Sequence, residues 1–226
     1  TADDANALTI RTRLGYKTGA VEGISVAVEF EDSRVVAGQD KYDVPGFARP
    51  SDYVAKGASV IADQETTELD QAFLQYKNDT LTVKAGCQVL TYDNHRYIGH
   101  VGWRQDRQTF DAFSFKYTPL DDLELNYAYL DQRNRIFGEQ ADLDSKDHLI
   151  NAGYKTSVGQ LSSYAYLLEE TVSKKAYDTY GIRFSGAKKM DVVKVLYTAE
   201  FAYQEYENGG NTLESTYMFL EGGGFI

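Results

Sequence analysis

Apolar and polar residues alternate along most of this chain with a period of two. Over residues 6–18, Leu8, Ile10, Thr12, Leu14 and Tyr16 fall on one side, and Thr9, Arg11, Arg13, Gly15 and Lys17 on the other. A 3.6-residue period would carry the arginines into the apolar stripe, so the segment reads as a strand. After 19–23, Ile24, Val26, Val28 and Phe30 alternate with Ser25, Ala27, Glu29 and Glu31 in the same way. The pattern returns over 68–77, 81–90, 109–117, 123–131, 148–156, 161–168, 177–185, 192–205 and, less cleanly, 212–222, which predicts about eleven strands. Most approach the roughly 9–11 residues that a tilted strand needs to cross a hydrocarbon core. No stretch offers an amphipathic helix of useful length.

The connections carry as much information as the strands. They alternate along the chain: 19–23 short, 32–67 long, 78–80 short, 91–108 long, 118–122 short, 132–147 long, 157–160 short and 169–176 medium. The last two, 186–191 and 206–211, are of similar length. Long loops at one end of successive hairpins and tight turns at the other are the signature of a transmembrane barrel, and a sandwich has no reason to show them. Tyr16, Tyr76, Tyr117, Tyr154 and Phe184 all lie close to a short connection on the apolar face. They form one candidate interfacial girdle, and Tyr127, Tyr129, Tyr166, Phe201 and Tyr203 the opposite belt. The expected fold is therefore all-β, a transmembrane antiparallel up-and-down barrel. Alternation by itself also describes a soluble barrel with its faces exchanged, apolar within and charged without, so loop asymmetry and ring placement decide between them.

With short connections on the periplasmic side, the first strand runs downward from the extracellular side. An odd strand count would leave unpaired edges in lipid. Residues 1–226 are accordingly expected to be one β-barrel segment, incomplete at both ends, from a barrel of 16–18 strands.

Composition sharpens this picture. The net charge of −11 argues against nucleic acid as a partner, because nothing here would neutralise phosphates. One cysteine excludes a disulfide framework and a thiolate zinc site. No apolar run approaches 18 residues, which excludes a membrane-spanning helix but not a barrel. Much of the excess acid sits in the connections, whereas basic groups predominate on the predicted inward face. Arg and Lys lining a pore favour anions. The alternative is a simply solvated wall, stiffened by cross-strand Arg–Glu pairs.

The densest polar and aromatic text is 91–108, which holds the single Trp103, His95 and His100, and Arg96, Arg104 and Arg107. Folded into the lumen, such a loop would form a constriction in which aromatic faces stack on sugar rings and guanidinium groups fork to carboxylates. Packed on neighbouring loops, it would be only an extracellular cover. The residues expected along the solute path are Arg11, Arg13, Lys84, Arg96, Trp103, Arg104, Arg107 and Lys116. Enzymatic motifs are missing: there is no nucleophile elbow, no zinc-protease helix and no phosphate-binding glycine loop. His95 and His100 make only a weak metal pair, Asp142 and Asp144 lack the Gly and Glu of a calcium loop, and Cys87 falls on the apolar face as a small hydrophobe. Neither a catalytic residue, a metal nor a cofactor is expected.

Several segments resemble the bacterial alginate-export family of outer-membrane porins. They are the opening text Ala7-Leu-Thr-Ile-Arg-Thr-Arg-Leu-Gly-Tyr-Lys-Thr18 with Val28-Glu-Phe-Glu-Asp32, then Gln71-Ala-Phe-Leu-Gln-Tyr76 and Tyr92-Asp-Asn-His-Arg96. Val101-Gly-Trp-Arg-Gln105 with Gln108-Thr-Phe-Asp111 is the most specific part, and Tyr127-Ala-Tyr-Leu-Asp131 with Asn134-Arg-Ile-Phe-Gly138 continues it. Cys87 stands where the resemblance leads one to expect a basic residue. The resemblance implies an outer-membrane barrel in a Gram-negative cell, in contact with lipid and lipopolysaccharide. In the family's best-known member an 18-stranded barrel passes an anionic polyuronate through an arginine-lined constriction. The function so implied is a channel for anionic solutes such as uronate-type sugars or oligosaccharides. The competing reading is a surface-binding or structural barrel with a plugged lumen.

Overall fold

Strand residues whose side chains alternate between two environments account for almost all regular structure in the computed structural model, which describes residues 6–37, 42–43 and 59–225. The strands are β1 (Thr9–Lys17), β2 (Ile24–Val35), β3 (Thr66–Lys77), β4 (Leu81–Gln88), β5 (Thr109–Leu120), β6 (Leu123–Asn134), β7 (Leu143–Thr156), β8 (Gly159–Glu169), β9 (Lys175–Met190), β10 (Val193–Asn208) and β11 (Asn211–Phe225). Among the described residues a single 3-10 turn, Glu139–Ala141, precedes β7. Each strand pairs with the next in sequence, so the sheet runs from β1 to β11 without a crossover. The pairings β1–β2, β7–β8, β8–β9, β9–β10 and β10–β11 are antiparallel. The fold is thus all-β and up-and-down, with the expected eleven strands among the described residues.

Strand ends differ from the sequence reading in the C-terminal third. Residues 186–190, expected in a connection, continue β9, and only Asp191 and Val192 turn the chain into β10. Likewise the connection expected over 206–211 contracts to Gly209 and Gly210, both at positive φ. Cross-strand pairing extends local structure past the point where alternation in the text fades. Of the long connection expected over 32–67, residues 38–41 and 44–58 lie outside the described residues.

The chain forms two compact units. One comprises Thr1–Gln75, Ala85–Ala112 and Gln132–Leu143; the other comprises Tyr76–Lys84, Phe113–Asp131 and Asp144–Ile226. In both, the apolar face of the strands is the exposed one. In the first unit Ile10, Leu14, Val26 and Phe30 are exposed, Leu14 by 76%, while Ser25, Glu31 and Ser33 on the other face of β2 are buried. In the second unit Ile150, Tyr154, Ile182 and Phe201 are exposed, whereas Asn126, Asp147, Asn151, Thr179 and Glu200 are buried. A soluble barrel would show the reverse, because transfer of apolar surface from water drives its folding.

Several of the buried polar groups pair across strands. Arg13 sits directly opposite Glu31 and pairs with it. In the second unit Arg183 donates to Glu200 at 2.6 Å, Tyr164 donates to the same carboxylate at 2.8 Å, and Gln204 donates to Thr179 at 2.7 Å. The ring of Tyr164 lies so close over Gly181 that a β-carbon there would stand 2.2 Å from it. On the opposite, exposed face, Tyr127 Oη lies 2.9 Å from His148 Nδ1, and the rings of Phe115 and Tyr129 flank the pair. This is a polar-tipped aromatic cluster suited to a membrane interface. Tyr166, expected in that belt, is instead buried on the polar side, stacked on Tyr164 and accepting from Asn151 at 3.1 Å.

Strand alternation is re-phased once in the first unit. Along β3, Leu69 is exposed and Asp70 buried, yet Phe73 is buried and Leu74 exposed, so the parity changes between Asp70 and Phe73. Gly86 on β4 lies against this irregularity with φ of +121°, where a β-carbon would meet the Ala72 carbonyl oxygen at 2.2 Å. The consequence corrects the expectation for Cys87. Its side chain is buried among polar groups, with Sγ 3.4 Å from the Asp70 carbonyl oxygen, 3.4 Å from Thr109 Oγ1 and 3.4 Å from Asn134 Nδ2. A positive φ next to a bulged strand turns the following side chain to the other face.

Leu14→Arg and Ile150→Arg, each near the middle of its strand on the exposed apolar face, are expected to destabilise the protein folded in lipid vesicles by about 2–4 kcal/mol each. Urea titration in vesicles measures this, and an unchanged midpoint for both would place that face in water.

Candidate functional site

Residues 89–108 join β4 to β5, and within them 91–108 hold the backbone least like a strand. Asp93, His95 and Val101 adopt positive φ of 49°, 60° and 50°. For a β-branched residue such as Val101 this costs about 1–3 kcal/mol, and surrounding contacts must hold it. Internal hydrogen bonds supply part of that hold. The Arg104 amide donates to the Val101 carbonyl at 3.0 Å, and the Gln108 amide and side chain donate to His100 and Gly99 at 2.9 Å each.

The remainder of the hold comes from the polar face of β1–β3. Arg11 Nη1 donates to the carbonyl oxygens of Arg104 and Gln105, at 2.7 and 3.1 Å. Gln105 returns the contact by donating to Thr9 Oγ1 at 2.8 Å, and its backbone amide donates to Asp63 at 3.0 Å. Arg107 forks onto Asp70, with Nε to Oδ1 at 2.8 Å and Nη2 to Oδ2, and also reaches Glu29 at 2.7 Å. Arg13 completes the cluster between Glu31 and Asp70. Because Arg11, Arg13, Glu29 and Asp70 all project from the polar face, the loop lies across that face and not on the apolar one.

Of the residues expected along a solute path, Arg11, Arg13, Arg104 and Arg107 therefore come together in one network. Arg96 and Trp103 line an adjacent cleft of about 420 Å³ with His95, Tyr97, His100 and Gln108. Trp103 is 76% exposed, and the Arg104 guanidinium lies 3.9 Å from its ring centre. The imidazoles of His95 and His100 meet edge to face at 5.3 Å. Burial, together with the neighbouring His95, Arg107 and Arg13, holds the His100 imidazole below its ordinary pKa. Lys84 and Lys116 belong to the second unit, where Lys116 pairs with Glu124.

The arrangement contains partners that the sequence reading did not single out. Asp70, Asp63 and Gln105 hold the loop. Asp70 escaped because the parity change in β3 breaks the alternation by which inward residues were chosen. The excess of base expected on this face is also matched locally, since Arg13 and Arg107 meet Glu29, Glu31 and Asp70. Next to the cluster lies a second group of acids. Asp106 is pushed up to about 8 by burial and by the carboxylates of Glu68, Glu31 and Asp142, against the lowering effect of a hydrogen bond from the Gly138 amide. Asp142 is raised to about 6, again by burial first, although the Arg135 amide donates to it at 2.8 Å.

With this geometry in hand, comparison with known proteins identifies the class. The sequence matches the alginate export family over residues 1–216, and the chain belongs to that family. Its fold is that of outer-membrane porins. OpdK of Pseudomonas aeruginosa, solved with vanillate, superposes with a TM-score of 0.71 at 11% identity, covering 95% of this chain and 57% of that one. OccAB3 of Acinetobacter baumannii gives 0.62 at 15% identity, covering 96% and 60%, and a BenF-like porin of Pseudomonas fluorescens Pf-5 gives 0.60 at 12%, covering 95% and 60%. The chain thus spans less than two thirds of the length of these structures. No curated protein matches it in sequence. Family and neighbours are channels of the Gram-negative outer membrane, not enzymes, and the chain is an outer-membrane protein with them. In such a barrel the exposed apolar face meets lipid and the polar face lines the passage.

Arg107→Ala leaves Asp70 buried without its fork and is expected to cost about 3–5 kcal/mol in a urea titration of the vesicle-inserted protein. Asp70→Asn in the same background should recover part of that loss. Simple additivity of the two substitutions would show that the pair does not anchor the loop.

Proposed function

We propose that the chain forms the wall and constriction of a diffusion channel for small anionic solutes that carry a carboxylate on a ring, such as uronate-type sugars or their oligosaccharides. The observation that carries this reading is the tethering of residues 91–108 across the polar face, which leaves Trp103 exposed beside an open cleft with Arg104 stacked on it. A flat indole surface suits a ring face, and a guanidinium group suits a carboxylate. The acids beside Arg13 and Arg107 make those two arginines anchors, so Arg104, stacked on Trp103, carries the selectivity. Among the described residues Arg104 meets the Asp63 carboxylate at 3.9 Å. OpdK, of like fold, was solved with vanillate, an aromatic carboxylate of the proposed class. On the outside, the aromatic cluster of Tyr127, Tyr129 and His148 sits at the headgroup level, where lipopolysaccharide is the expected neighbour.

Planar-bilayer recordings test the reading. A salt gradient should give a reversal potential of anion preference, and galacturonate or vanillate should reduce the current. Trp103→Ala should weaken that block about fivefold, the equivalent of about 1 kcal/mol of stacking, and Arg104→Ala should lower the anion preference. Cation preference, or block unaltered by both substitutions, would refute the proposal. A protein that inserts but stays electrically silent would favour a plugged barrel that serves as a surface receptor.

A further inference from the structure

Asp106 is not needed for anchoring by charge, yet it is the most enclosed carboxyl of the loop. It is 5% exposed, and its Oδ2 has no hydrogen-bond partner. Its surroundings are assembled from three other parts of the same unit. Glu31 faces it from β2, Glu68 from β3, and Asp142 from the connection before β7, where the Gly138 amide also reaches it. The nearby bases have other partners: Arg13 pairs with Glu31, Arg107 with Asp70 and Glu29, and Arg11 donates to the carbonyls of Arg104 and Gln105. That connection is itself held to the stretch before β3, where Gln64 donates to the Ile136 carbonyl at 2.9 Å. A charged Asp106 would thus stand, desolvated, beside three carboxylates, whereas a neutral carboxylic acid fits the same space and brings a hydroxyl donor.

We propose that a proton on Asp106 latches residues 91–108 against the wall, so that the loop is a proton-controlled gate closed in acid and loosened in base. The inference goes beyond the channel reading and rests on the geometry of the loop alone, not on any solute. Its linkage has a definite sign. With the loop closed Asp106 titrates near pH 8, and with the loop lifted into water it returns to the ordinary carboxyl value of about 4. Between those limits the closed form holds a proton that the open form has lost. The closed form is therefore favoured most below about pH 4 and loses about tenfold in the closed-to-open ratio for each unit of rising pH, until the loss levels off near pH 8.

Hydrogen–deuterium exchange of peptides covering 91–108, on the full chain in lipid nanodiscs and corrected for intrinsic amide rates, reads this ratio directly. From pH 6 to 8 the protection of the wild type should fall about fiftyfold, then by about another twofold before it levels off by pH 9.5. Asp106→Asn, a neutral isostere, should abolish the slope. Glu68→Gln removes one facing charge and should move the levelling-off below pH 8. Protection independent of pH in the wild type, or a slope that persists in Asp106→Asn, overturns the latch. Should Asp106→Asn fail to insert, an unmoved break point in Glu68→Gln overturns it equally. A non-conducting protein with the predicted slope would lose the channel reading and keep the latch; a selective channel without the slope would lose only the latch.

Discussion

Backbone amides in hydrocarbon have no water to turn to, and every other property of this chain comes from meeting that demand strand by strand. An unpaired N–H or C=O in lipid costs several kcal/mol, so a β-protein of the membrane must pair each strand with the next along its whole length. The sequential order from β1 to β11, and the continuation of β9 and β10 to sixteen residues each, meet this requirement. Once the backbone is committed, the side chains have only two places to go. Greasy residues such as Leu14 and Ile182 face outward, and the polar ones must find partners on the remaining side.

That second requirement shapes the interior chemistry. Polar groups enclosed by their neighbours are stable only in satisfied sets. The sets here are small and cross-strand: Arg13 with Glu31, Arg183 with Glu200 and Tyr164, Asn151 with Tyr166. The loop at 91–108 extends the same logic to irregular backbone. It lies over the polar face because Arg11 takes its carbonyls and Arg107 brings it a charge that Asp70 and Glu29 require. Binding of the loop to the wall and solvation of the wall are thus one event.

Much of this was legible in the text and some was not, for physical reasons. Period-two alternation reports the pleat directly, so strand number and the outward placement of Leu8, Ile10, Val26 and Phe30 came straight from it. Loop asymmetry and the place of the tyrosines then chose lipid over water as the outer solvent. Alternation is blind to the partners a side chain meets across a long separation. The four arginines of the network were visible as arginines, but Asp63 and Asp70 were not visible as their counterparts. Tyr166 misled because a tyrosine fits either environment: its ring suits an interface, and its hydroxyl suits a polar interior. Cys87 misled because the phase of alternation is local, and nothing in residue type announces that it shifts upstream of a given position.

That shift rests on Gly86. One residue with a left-handed backbone lets two neighbouring side chains, Cys87 and Gln88, be buried together, which unbroken alternation would not allow. Exchange of strands between related barrels, by recombination or by a designer's splice, succeeds here only if the glycine travels together with Cys87 and Gln88. A crossover that separates them would return Cys87 to the acyl chains and leave Gln88 alone on the polar face, with hydropathy and length untouched.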